Sequence, residues 1–86
     1  MSIRLHVGNL SAGVTDSDLA HKFSPFGEVE FAAVLKDDLT GMSSGLGLVT
    51  MADAAAAQKA IEWLNFSSFE GQIMAVSLFD ASAARH

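Results

Sequence analysis

Three histidines, ten carboxylates and a scattering of hydroxyls are the residues of this chain that could do chemistry, and their spacing argues against most of it. His6, His21 and His86 fall on different elements, and no carboxylate pair converges with any of them at metal-ligand spacing. There is no cysteine, so neither a disulfide framework nor a thiolate metal site can form. No serine is paired with a base, and no glycine-rich loop opens a helix to cradle phosphate. Gly45-Leu46-Gly47 lies inside an alternating apolar run, which reads as a strand and not as a nucleotide-binding turn. Neither catalysis nor a cofactor is expected. Contact chemistry remains, carried by exposed side chains on a sheet.

Charge limits what such a surface could contact. Five Lys or Arg stand against ten Asp or Glu, a net −5 with neutral histidines. Lysine and arginine contacts to phosphate dominate nucleic-acid affinity, and here they are scarce. At 86 residues the chain is the size of one domain, and half of it is apolar, which suits a packed core. The longest apolar stretches are far shorter than the ~20 residues of a membrane span. The N-terminus lacks the pattern of a secretory signal. The expectation is a cytoplasmic protein, with residues 3–80 as its core and 81–86 as a short tail. The initial methionine and short tails suggest a complete small protein.

The elements that must position these residues follow from periodicity. Ile3, Leu5 and Val7 alternate with Arg4, His6 and Gly8, as in a strand with one buried face. Thr15 reads as a helix N-cap, with Asp16 and Asp18 in the first turn and Leu19 and Phe23 on one face. Ser24-Pro25 ends that helix, because a residue before proline avoids helical angles. Residues 29–35 form a second strand and residues 45–51 a third, with a polar loop between them. Asp53 caps a second helix whose Ala57, Ala60, Ile61 and Leu64 form an apolar stripe, closed by Asn65. Trp63 is assigned to the edge of that core stripe. Residues 66–71 are a loop and 73–79 the last strand. The order β-α-β-β-α-β predicts an α+β, ferredoxin-like sandwich: a four-stranded antiparallel sheet with two helices on one face.

Several segments make the pattern specific. Leu5-His6-Val7-Gly8-Asn9-Leu10 is similar to the six-residue motif on the first strand of an RNA recognition motif. Ser44-Gly45-Leu46-Gly47-Leu48-Val49-Thr50-Met51 sits where that family's eight-residue motif belongs. Phe23-Ser24-Pro25-Phe26-Gly27-Glu28-Val29 resembles the turn after its first helix, and Ala60-Ile61-Glu62-Trp63-Leu64-Asn65 the end of its second. In that family, aromatic side chains of the two motifs leave the sheet and stack bases. This chain departs from the pattern: Ser44 replaces the basic position, Leu46 and Leu48 the stacking aromatics, and Met51 the last aromatic. His6 stands at the stacking position of the first strand.

By strand parity Leu5, Val7, Gly47, Val49 and Met51 face the helices, while Arg4, His6, Leu46, Leu48 and Thr50 face outward. The family's geometry, with a bulge in the second strand, would add Phe31, Ala33 and Leu35 to the outer face, and Ala75, Ser77 and Phe79 from the last strand. The resemblance implies single-stranded RNA held on that face, weakly or with help, by Arg4, His6, Phe31, Leu46, Leu48 and Phe79. Asn9 would support the adjoining loop. Lys36, Arg85 and His86 would form a thin basic rim, while Lys22 and Lys59 would be solvated. The same apolar face could instead dock a protein partner or a second copy of the chain. The Arg-x-Phe motif with which some relatives bind tryptophan-containing peptides is absent, since the chain reads Ser67-Ser68-Phe69 there.

Overall fold

A computed structural model describes residues 2–79. The order is β1 (Ile3–Gly8), α1 (Asp16–Phe23), a 3-10 turn (Ser24–Phe26), β2 (Val29–Lys36), β3 (Ser43–Met51), α2 (Ala54–Leu64), β4 (Ser68–Phe69), β5 (Gln72–Ile73) and β6 (Ala75–Leu78). The strands β2-β3-β1-β6 form one four-stranded sheet whose pairings are all antiparallel. Among the described residues no helix is long and apolar enough to cross a membrane.

The two helices cover one face of this sheet. Leu5, Val7, Val49 and Met51 point under them and are fully buried, together with Leu19, Phe23 and Met74. Gly47 occupies the one inward position of β3 where α1 comes too close for a side chain. A Cβ there would lie 2.9 Å from Leu19 Cδ2 and 3.1 Å from Leu10 Cδ1. On α2, Ala56, Ala57 and Ala60 are buried, and their small size brings the helix down on the preceding turn. A Cβ on Gly27 would fall 2.5 Å from that of Ala56.

Hydrogen bonds fix the helix ends. Thr15 and Asp18 form a reciprocal capping box, each side chain accepting from the other's backbone amide at 3.1 Å. Asp16 does more than complement the helix dipole: its Oδ1 accepts the Val34 amide of β2 at 2.7 Å, tying the start of α1 to the sheet. Asp53 Oδ1 accepts from the Ala56 amide and caps α2. At its other end Asn65 Oδ1 accepts from the Val76 amide and so reaches β6.

Four expectations need correction. Ser24 keeps right-handed helical angles (φ −60°, ψ −30°), so α1 ends by tightening into the 3-10 turn and not by extension before Pro25. The segment 66–71 is not a plain loop. Residues 68–69 pair with 72–73 around Glu70 and Gly71, both at positive φ (51° and 84°), which makes a two-residue hairpin. The last sheet strand therefore begins at Ala75. Trp63 is 71% exposed, because Ala60 and Leu64 take the core-facing positions and a helix turns about 100° per residue away from Leu64. Lys22 is not simply solvated: its Nζ sits 5.2 Å from the centre of the Phe69 ring. The tail with Arg85 and His86 lies outside the described residues.

Gly47→Ala should cost about 1–3 kcal/mol, since the methyl group would overpack the contact with Leu19. Thr15→Ala, which removes one half of the capping box, should cost about 1 kcal/mol. Urea unfolding of the two variants against the parent checks both values.

Candidate nucleic-acid interface

The face of the sheet away from the helices is built from pairs of opposed residues, and opposed residues in adjacent strands share a face. Thr50 lies opposite Arg4 on one side and Phe31 on the other. The Phe79 amide donates to the Arg4 carbonyl at 2.9 Å, which extends this row across all four strands. The next row runs Ala33, Leu48, His6, Ser77. Beyond it, a Cβ on Gly8 would lie 3.9 Å from both His6 Cε1 and Leu46 Cδ2 and 4.0 Å from Ala75 Cβ, so these side chains converge around the bare glycine. Arg4, His6, Phe31, Leu46, Leu48 and Phe79 are therefore brought onto one surface.

A register shift between Val29 and Phe31 is the reason β2 contributes as it does. Val29 opposes Met51 on the helix side and Phe31 opposes Thr50 on the outer side, with Glu30 as the extra residue between them. A bulge of this kind re-aims a side chain. A second shift between Val34 and Lys36 lies beside Leu35, whose carbonyl accepts from Ser44 Oγ at 3.1 Å. Ser44, in place of a basic residue, thus braces β3 against β2. This bracing, and the Lys36–Ser43 pair, start β3 at Ser43, two residues before the periodicity suggested.

The apolar content of the face is substantial. Phe31 is 54% exposed, Phe79 and Leu46 each 38%, while His6 and Leu48 are half-buried among their neighbours. The aromatic rings stand at the two edge strands and not on the central pair. Three strand spacings of about 4.8 Å separate their backbone positions by roughly 14 Å.

Asn9 lies at the margin, with a positive φ of 60°. Its Nδ2 donates to the Ile73 carbonyl at 2.6 Å, and Gln72 Nε2 donates to its backbone carbonyl at 3.0 Å. Asn9 therefore clamps the end of β1 to the β4–β5 hairpin. Ser2, Glu30 and Thr50 adjoin the same face at its Phe31–Phe79 end. Sequence reading put only Thr50 there; strand parity with Arg4 was the available signal for Ser2, and the bulge the one for Glu30.

This fold, with outward-facing positions on its two central strands, is the architecture of an RNA-binding sheet domain. The family model of the RNA recognition motif matches residues 5–74, and the chain belongs to that family. It is 40% identical over 84 residues to glycine-rich RNA-binding protein 1 of Mycosarcoma maydis, across 98% of this chain and 48% of that protein. The chain thus spans about half the length of that curated relative, and a smaller share of others it matches. Among solved structures, that of RNA binding protein PG1 superposes with a TM-score of 0.87 at 36% identity, covering 90% of this chain and 93% of that one. A Sxl-lethal protein–RNA complex gives 0.84 at 34% identity, over 90% of this chain and 47% of that one.

Asn9→Ala should lower stability by about 0.5–1.5 kcal/mol through loss of the clamp, with amide chemical shifts moving chiefly at Ile73 and Gln72. A nitrogen-15 correlation spectrum and a urea melt of the variant check this.

Proposed function

We propose that this chain is a binding module for single-stranded RNA, without a catalytic step, and that the RNA lies across the open sheet face. The observation that carries the reading is the family match over residues 5–74 combined with the partly exposed outward residues of β1 and β3. The names of the relatives, an RNA-binding protein and a protein–RNA complex among them, support it. His6 is the central contact, flanked by Leu46 and Leu48, with Arg4 as the cation of the face and Phe31 and Phe79 offering rings at the edges. The whole of residues 1–86 is read as one such domain, and a cytoplasmic location belongs to the same proposal.

Affinity is modest by this reading. Stacking on an aromatic contributes roughly 1–3 kcal/mol per base, and leucine at positions 46 and 48 forfeits much of it. Arg4 and Lys36 offer at most about two phosphate contacts, so log K should fall with log salt at a slope no steeper than about −1.4. A net charge of −5 adds repulsion at long range.

Leu48→Phe should tighten binding by about fivefold or more, because it restores one stacking platform. His6→Ala should weaken it by a similar factor. Fluorescence anisotropy with short uridine- and adenosine-containing RNAs at low salt checks both. Concentration-dependent broadening of the same residues, with no response to RNA and no salt dependence, would instead mean that the face docks protein or a second copy.

A further inference from the structure

We propose that the Phe31–Phe79 end of the sheet is a subsite that selects guanine, an inference resting on the reading that RNA lies on this face. Ser2, Arg4, Glu30, Phe31, Thr50 and Phe79 line one hollow there. The two rings rise from opposite edges of the sheet, from backbone positions about 14 Å apart. That distance is too wide for both to stack on one base and wide enough for a base on Phe31 to lie over the row between them. Phe31, the more exposed ring, is the platform.

The polar groups of the hollow determine which base fits. Arg4 brings donors only, and Glu30 brings acceptors only. Strand alternation would send Glu30 elsewhere; as the extra residue of the β2 bulge it comes to the rim of the hollow instead. The Ser2 hydroxyl donates to Glu30 Oε1 and holds the carboxylate in place, leaving Oε2 and the remaining lone pairs for a ligand. Guanine answers this arrangement with two adjacent donors, N1–H and N2–H, for a carboxylate, and two acceptors, O6 and N7, for a guanidinium. Adenine presents a lone pair where guanine has N1–H. Uracil has one ring donor and no amino group, and cytosine has one amino group. None of these three offers a paired donor edge together with a paired acceptor edge. A good bidentate pair discriminates by roughly five- to a hundredfold, and solvent at this open site places the expectation at the lower end.

Glu30 has a second consequence that separates specificity from stability. Its charge repels phosphate, so it lowers affinity for RNA lacking guanine while raising it for RNA that satisfies it. Glu30→Gln should therefore act with opposite sign on the two.

The test is fluorescence anisotropy of the full chain with a labelled uridine pentamer carrying a central guanosine, adenosine, cytidine or uridine. The guanosine pentamer should bind about fivefold more tightly than the others, with amide shifts at Glu30, Phe31 and Thr50. In Glu30→Gln that preference should shrink to about twofold or less, while the adenosine pentamer binds as well as or better than it does to the parent. Equal binding of all four pentamers, or a guanosine preference that survives Glu30→Gln, overturns the guanine subsite and leaves RNA binding standing. Binding of none overturns the RNA reading and this inference together.

Discussion

The register of β3 against β1 is the constraint on which the rest of the molecule depends. Side chains alternate along a strand, so a slip of one residue would turn every inward position outward. Here that slip would expose Val49 and Met51 and push Leu46 and Leu48 toward the helices. It would also put a side chain where only Gly47 fits beneath Leu19 and Leu10. Burial of Leu5 and Val7 on the partner strand fixes the opposite side of the pairing. The same lock fixes the outer face, because His6 and Leu48 are set opposite each other by the residues buried on either side of them.

The helices add to this lock through small residues and directed hydrogen bonds. Gly27 against Ala56 allows α2 to sit close over the 3-10 turn, and Asp16 joins the first turn of α1 to the Val34 amide. None of these contacts involves the outer face. The face is therefore free to vary in chemistry without loss of the fold, which explains how leucine and serine can stand at positions where relatives of this family carry aromatic and basic residues. What such replacements change is the chemistry that the face presents.

The outer face has an uneven distribution of polar and apolar groups. Its centre offers a half-buried histidine among aliphatic side chains, while its two rings, its arginine and the bulged Glu30 gather at one end. A ligand on this surface would find apolar contact in the middle and hydrogen-bonding capacity at that end. The clamp made by Asn9 and Gln72 at the opposite end is occupied with internal bonds and serves to hold the hairpin.

Much of this was legible in the residues themselves. The alternation Ile3-Leu5-Val7, the caps at Thr15 and Asp53 and the stripe ending at Leu64 depend on local periodicity and local hydrogen bonding, so the elements and their inward faces could be read directly. Other features could not be read, because they depend on partners distant in sequence. The hairpin 68–73 closes through Glu70 and Gly71, a turn without the usual Asn-Gly signal. Trp63 is exposed because two neighbours already fill the space facing the core, a matter of packing and not of residue type. The place of Glu30 is set by a bulge that exists only in the pairing of β2 with β3. The sequence by itself determined which residues alternate and therefore which face turns away from the helices. Only the tertiary structure decided which groups meet on that face, since meeting requires residues up to 75 positions apart to be brought into one row, Phe31 with Thr50 and Arg4 with Phe79 among them.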